Sequence, residues 1–155
     1  MGSEMCIRDR QTAFYNLLGM ETLGLRMERA CDNAKKLAEF LNTYPDVTVN
    51  YPGLSDSLWH AQAEKVLQNG YGAILTIRVG SKERAFDLIN TLTIPKIVSN
   101  IGDTKTLIIH PESTLNAHST QKEKEEAGVF DDLIRISVGI EDVEDLIEDF
   151  KHALK

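Results

Sequence analysis

Few residues in this 155-residue chain have a type and spacing that could do chemistry. His60, His110, His118 and His152 are scattered, with no two histidines at i, i+4, so no metal site is expected. No P-loop is present, and no G-x-G-x-x-G follows a strand. A serine nucleophile would need a G-x-S-x-G elbow, which is missing, and neither Cys6 nor Cys31 has a histidine nearby in sequence. Two segments remain. In LIRISVGIED, Ile134, Ile136 and Val138 alternate with Leu133, Arg135 and Ser137, the pattern of a strand with two different faces. Arg135 is then either a solvated arginine on an edge strand or a guanidinium held in place to grip an anion. The other segment is VSNIGDTKTLIIHPEST, where a strand end, a glycine turn and a strand ending in His110-Pro111 come together. Its plain reading is a tight turn in which Asn100 and Asp103 satisfy backbone groups.

The elements that must position these residues are legible from periodicity. Thr12 to Leu41 repeats apolar residues at three- and four-residue intervals, which predicts one long helix; Gly19 and Gly24 weaken its first half and point to a bend or close packing there. Pro45 ends the run, VTVNY (47–51) reads as a short strand, and Ser57 to Gln68 as a helix with Ser57 as N-cap and Gly70 as its stop. AILTIRV (73–79) is β-rich, with a glycine-containing lead-in that suggests close backbone approach. Ser81 caps a helix reaching Leu92. Ile97-Val98 and 107–110 are strand candidates, 120–127 a short charged helix, and Val143 to Leu154 an amphipathic closing helix with acids at its N-terminus. The runs QKEKEE and EDVEDLIED read as solvated helix faces. Strands alternating with helices behind a long first helix predict an α/β fold, an α+β sandwich of four or five strands with helices packed on the sheet.

The chain is 42% hydrophobic and 26% charged, enough for one domain with a core. A net charge of −7 provides no basic field for nucleic acid or an anionic membrane surface. No apolar run approaches the ~20 residues of a membrane span, and the opening MGSEMCIRDR lacks the apolar core of a signal peptide. Two distant cysteines suit a reducing compartment and buried or idle thiols. The expectation is a cytoplasmic domain over 11–155, with 1–10 a leader foreign to the fold.

The ordered segments NLLGMETLGLRMERACDNAKKLAEFL, VNYPGL, GAILTIRV, VSNIGDTKTLIIHP and DDLIRISVGIEDVEDLIEDF resemble the C-terminal part of the Cys/Met-metabolism family of pyridoxal-phosphate enzymes. The similarity is collinear from about residue 11 to the C-terminus. It is strongest to the O-acetylhomoserine sulfhydrylase branch, through Asn100 and the I-E-D-V-E-D-L-I-E-D-F ending. The resemblance implies the small domain of a fold-type I enzyme. Its parent would make homocysteine from O-acetylhomoserine and sulfide, within transsulfuration and methionine biosynthesis. Cystathionine gamma-synthase, methionine gamma-lyase and a non-catalytic small-molecule-binding or assembly domain remain alternatives.

By the same resemblance, pyridoxal 5'-phosphate is carried by a lysine of a larger N-terminal domain, and the small domain supplies the group for the substrate's α-carboxylate. Arg135 matches that arginine: a planar guanidinium can make two parallel hydrogen bonds to a carboxylate and so fix its orientation. Asn100 is expected to contribute an amide or backbone contact to the same carboxylate. Gly102, His110, Pro111, Ser113 and Thr114 are expected to shape the site and not to react.

Departures from the family pattern accompany the match. The attachment motif S-x-T-K is missing; Thr104-Lys105 has Gly102 in the serine's place and is not accepted as the cofactor lysine. The aspartate for the pyridine nitrogen, the stacking aromatic and the phosphate loop are not found. Glu112 stands where relatives have alanine, an acid beside a site meant for a carboxylate. The chain is therefore expected to be a C-terminal piece without catalytic residues of its own and inactive alone. Its expected partners are the large domain and sister subunits of a homotetramer, and its first helix is expected to leave an apolar stripe exposed.

Overall fold

The computed structural model describes residues 2–155, with side chains from residue 9 onward; the side chain of Cys6 lies outside the described residues. Its centre is a five-stranded mixed sheet in the order β1-β2-β5-β4-β3, formed by β1 (Thr48–Asn50), β2 (Ile74–Arg78), β3 (Lys96–Ile97), β4 (Leu107–Ile109) and β5 (Leu133–Ser137). β1, β2, β5 and β4 pair antiparallel in turn, and β3 joins β4 in parallel. Strand alternation sends Leu75, Ile77, Ile108, Ile134 and Ile136 to one face, where they meet α2 (Leu23–Leu41), α4 (Lys82–Thr91) and α6 (Val143–Ala153) in a single core with Leu37, Leu41, Leu88, Leu146 and Phe150. The fold is α/β, as the alternation of elements predicts.

The long first helix divides. α1 (Gly2–Glu21) and α2 are separated by Thr22, whose backbone leaves helical geometry at φ −106°, ψ 7°. A Cβ added at Gly19 or Gly24 would touch nothing within 4 Å, so a break and not close packing accounts for the two glycines. Arg26 stabilises the junction: its guanidinium bonds the Thr22 hydroxyl and reaches the free Gly19 carbonyl at 2.8 Å, satisfying a helix C-terminus. α1 also starts at Gly2, before the apolar periodicity begins, so residues 2–10 continue the helix that they were expected to stand apart from. Every residue from 9 to 21 is exposed, including Phe14, Leu17 and Met20.

Ser57 is not the N-cap of the next helix. α3 (His60–Val66) begins after Trp59, and Ser57 instead closes the preceding turn through its carbonyl to the His60 N–H, 3.1 Å. Ser81 caps α4 as predicted, its hydroxyl accepting from the Arg84 N–H at 3.2 Å. α5 (Gln121–Glu126) starts with a reciprocal Thr120/Glu123 capping box and buries none of its residues completely. The close approach suggested for the glycines before β2 occurs at Gly70, where φ is +120° and a Cβ would lie 3.1 Å from that of Cys31. Cys31 is buried, and burial pushes its thiol up, away from the reactive thiolate.

Candidate functional site

The sheet face opposite the helices carries the candidate residues. Register places Arg135 in a row running Asn50, Thr76, Arg135, Ile109 across β1, β2, β5 and β4. β5 is the central strand, so the edge-strand reading of Arg135 is overturned: its backbone pairs on both sides and only the side chain is available. The guanidinium is half-buried. Its Nη2 donates to the carbonyls of Ser99, 2.6 Å, and Asn100, 3.4 Å, while Nη1 and Nε have no acceptor among the described residues.

Asn100 therefore meets Arg135 through its backbone oxygen and not its side-chain amide. A carbonyl can only accept, so Asn100 holds the guanidinium and its own oxygen offers nothing to a carboxylate. The loop presenting those carbonyls is pinned to the sheet: the Gly102 N–H donates to the Ser137 hydroxyl at 3.1 Å, with Gly102 at φ +75°. Asp103 closes the turn by accepting from the Lys105 N–H at 3.0 Å, which holds its carboxyl below the usual carboxylate range.

His110, Pro111, Ser113 and Thr114 form a turn tied internally. His110 is buried; Nε2 reaches the Asp131 carbonyl at 2.7 Å and Nδ1 lies 2.9 Å from the Ser113 hydroxyl. Because a carbonyl only accepts, Nε2 carries the ring proton and Nδ1 accepts from Ser113. Thr114 donates to the His110 carbonyl at 2.7 Å. With both ring nitrogens used, His110 is a structural pin between the turn and the segment entering β5. Glu112 does not confront the arginine with a bare acid. It bridges Lys82, 2.8 Å, and Lys124, and these two lysines, Lys124 first, bring its pKa down to about 2.

Sequence reasoning left Arg78 out. It lies on the Arg135 face of β2, its Nε donating to buried Asp132 at 2.8 Å and its guanidinium 4.0 Å from the Phe130 ring centre. The alternation of AILTIRV already placed it opposite Leu75, Ile77 and Val79, which was the available signal. Arg78 and Arg135 line one cleft of about 400 Å³ with Thr48, Asn50, Thr76 and Asn116. A buried polar knot closes the far end of β5: Asn33 donates to the carbonyls of Gly139, 3.1 Å, and Glu141, 2.8 Å, and Thr106 bonds the Glu141 carboxylate.

Comparison with known proteins places this geometry. The profile of the family "Cys/Met metabolism PLP-dependent enzyme" matches residues 5–155. The homocysteine synthase of Schizosaccharomyces pombe is 44% identical over 144 residues, 92% of this chain and 34% of that protein. An L-methionine gamma-lyase of Fusobacterium nucleatum subsp. polymorphum is 42% identical over 147 residues, 94% of this chain and 37% of that protein. A crystal structure of a candidate O-acetylhomoserine (thiol)-lyase from Campylobacter jejuni, carrying N'-pyridoxyl-lysine-5'-monophosphate, superposes with TM-score 0.88 at 37% identity, covering 93% of this chain and 35% of that one. The chain thus spans about a third of the length of the relatives it matches.

The lining of the arginine cleft suits a carboxylate and not the cofactor. It contains two arginines, two asparagines and two threonines, but no lysine to bond an aldehyde and no acid to pair a ring nitrogen. Lys82 and Lys124, beside the neighbouring turn, are both engaged by Glu112, and Lys105 is exposed in the Asp103 turn. With the match running over nearly the whole chain, and a solved relative sharing its fold and bearing the pyridoxal group, this chain belongs to the Cys/Met-metabolism family of PLP-dependent enzymes.

Proposed function

We propose that this chain is the substrate-carboxylate domain of an O-acetylhomoserine sulfhydrylase, in which sulfide replaces the acetoxy group to give homocysteine and acetate. The observation carrying this reading is Arg135: a guanidinium on the central strand, anchored through Nη2 to Ser99 and Asn100, with its remaining N–H groups without an acceptor among the described residues. An anchored guanidinium loses little freedom on binding and sets the orientation of an amino acid as well as its charge. Asn100 and the Gly102–Ser137 contact hold the arginine, while His110, Pro111, Ser113 and Thr114 fix the turn beside it. Attachment of the cofactor and assembly into a homotetramer are assigned to the large domain of the parent enzyme, working in the cytoplasm.

The test is a chimera in which residues 11–155 replace the matching third of the O-acetyl-L-homoserine sulfhydrylase of Leptospira meyeri, a protein 44% identical to this chain over 146 residues. Arg135→Ala should raise KM for O-acetylhomoserine by roughly 10- to 100-fold, the cost of charged hydrogen bonds. An unchanged KM would remove Arg135 from carboxylate binding. Near-equal identity to methionine gamma-lyases supports a second reading, elimination from methionine. Faster turnover of methionine alone than of O-acetylhomoserine with sulfide would favour it.

A further inference from the structure

The floor and the wall of the arginine cleft differ in firmness. The floor is the sheet, where Thr76 and Arg135 sit on strands paired on both sides. The wall is the segment between β4 and β5. It lines the cleft with Leu115 and Asn116, and again with Gly128, Val129 and Phe130, and α5 lies between the two stretches. No residue from 112 to 131 is buried, so this wall has no core of its own. Among the described residues, every hydrogen bond made by residues 113–129 stays within 110–129. Phe130, against Arg78, marks where the wall rejoins the sheet.

One side chain joins this wall to the body of the fold. Glu112 accepts from Lys82 of α4 on Oε2, 2.8 Å, and from Lys124 of α5 on Oε1. α4 is packed into the core through Ala85, Leu88 and Ile89, so Lys82 extends from a fixed element. Lys124 passes the restraint on. Its carbonyl accepts from the Val129 N–H at 2.8 Å, where Gly128 at φ +67° ends the helix, and Val129 lines the cleft. On the other limb, Pro111 precedes Glu112 and its carbonyl accepts from the Asn116 N–H at 2.9 Å. The Glu112–Lys124 pair is sheltered, its side chains 17% and 12% exposed, whereas Lys122–Glu126 on the same helix stands in solvent at 84% and 68%. Screening leaves the second pair little to contribute, so the restraint lies in the first.

We propose that Glu112 is a positioning residue of the arginine cleft: by bridging Lys82 and Lys124 it holds residues 113–129 against the sheet face and fixes the space in which Arg135 receives a carboxylate. This rests on Arg135 receiving the carboxylate, as proposed above. Glu112 does not line the cleft itself and acts through Val129 and Asn116. A wall set in advance leaves less to be ordered when an amino acid enters. Without the bridging carboxylate, Lys82 and Lys124 repel each other and draw the wall away from the floor.

The experiment uses the full chain as wild type, Glu112→Gln, Lys124→Gln, Lys122→Gln and Arg135→Ala. Two quantities are followed by NMR: amide exchange at Val129 and Ile134, and acetate binding at fixed ionic strength. Glu112→Gln should speed exchange at Val129 by roughly fivefold or more, as loss of a sheltered ion pair predicts. It should also weaken acetate binding by roughly threefold. The direction discriminates, because removing an acid near an anion site would by charge alone tighten binding. Lys122→Gln, which breaks the solvent-exposed pair, should move neither quantity. If Glu112 adds only to overall stability, exchange at buried Ile134 changes while Val129 does not, and the proposal falls. Faster exchange at Val129 with acetate binding unchanged or tighter also overturns it; loss of that binding in Arg135→Ala then leaves the carboxylate role of Arg135 standing. If Arg135→Ala leaves acetate binding unchanged, that role falls and the positioning role with it. Should Glu112→Gln unfold, Lys124→Gln decides: unchanged exchange at Val129 there overturns the restraint.

Discussion

Gly139, just past the end of β5, should tolerate no side chain at all, and the cost of adding one can be worked from its surroundings. A Cβ built on Gly139 would lie 2.4 Å from the Thr104 carbonyl oxygen, 2.5 Å from the Glu141 carboxylate and 2.6 Å from the Lys105 carbonyl carbon. Two of these are backbone atoms. The Thr104 carbonyl accepts from the Ile140 N–H at 2.9 Å, so it cannot retreat from a methyl group without losing that bond. Thr106 next in line donates to Glu141 and accepts from the Gly139 N–H at 3.0 Å, so the disturbance enters the buried knot with Asn33. Overpacking of this kind costs about 1–3 kcal/mol and a lost backbone hydrogen bond about 1 more, together about 2–4 kcal/mol for Gly139→Ala. At this chain length the melting temperature should fall by roughly 5–15 °C. Urea unfolding followed by circular dichroism reads the change directly. Gly19→Ala and Gly24→Ala serve as controls: with open space around both, they should be neutral or stabilising by up to about 1 kcal/mol. A Gly139→Ala protein within about 0.5 kcal/mol of wild type at unchanged m-value would refute the packing account.

Other perturbations report on the site's supports. Glu112→Gln should lower stability near neutral pH by on the order of 1 kcal/mol, since it leaves Lys82 and Lys124 without their anion. Because the folded-state pKa of Glu112 is depressed to about 2, its contribution is present above the ordinary carboxylate value and disappears as pH falls through about 2. The gap between wild-type and Glu112→Gln urea midpoints should accordingly close on acidification, and a gap independent of pH would contradict it. His110→Ala should cost about 2–4 kcal/mol through a cavity beside Phe86 and an unpaired Asp131 carbonyl, checked by the same unfolding measurement. The exposed Phe14, Leu17 and Met20 of α1 should drive self-association of the isolated chain. Light scattering should show this, and Leu17→Glu should reduce it; a monodisperse monomer at high concentration would contradict the expectation.

Much of this molecule is written in local pattern. The alternation of LIRISVG and AILTIRV sorts each strand's residues onto two faces, and Ser81 marks a helix start, because backbone geometry and capping involve only near neighbours in sequence. Gly19 and Gly24 bracket the break at Thr22, one of the two outcomes their position pointed to, whereas the same local logic failed at Ser57, where the chain turned once more before the helix began. Collinear motifs identified the family, and with it the interest of Arg135. What no local pattern contains is pairing between distant segments. The central place of β5 depends on pairing with β2 and β4, both distant upstream segments of the chain, and it turned a strand arginine into the middle of a sheet face. Asp132 lies 54 residues from Arg78, and Lys82 lies 30 from Glu112; either partner would look like an ordinary surface charge without the other. Faces and caps follow from dihedral geometry that each segment satisfies alone. Which arginines share a cleft, and which acid is neutralised, is decided only when burial of the common core brings those segments together.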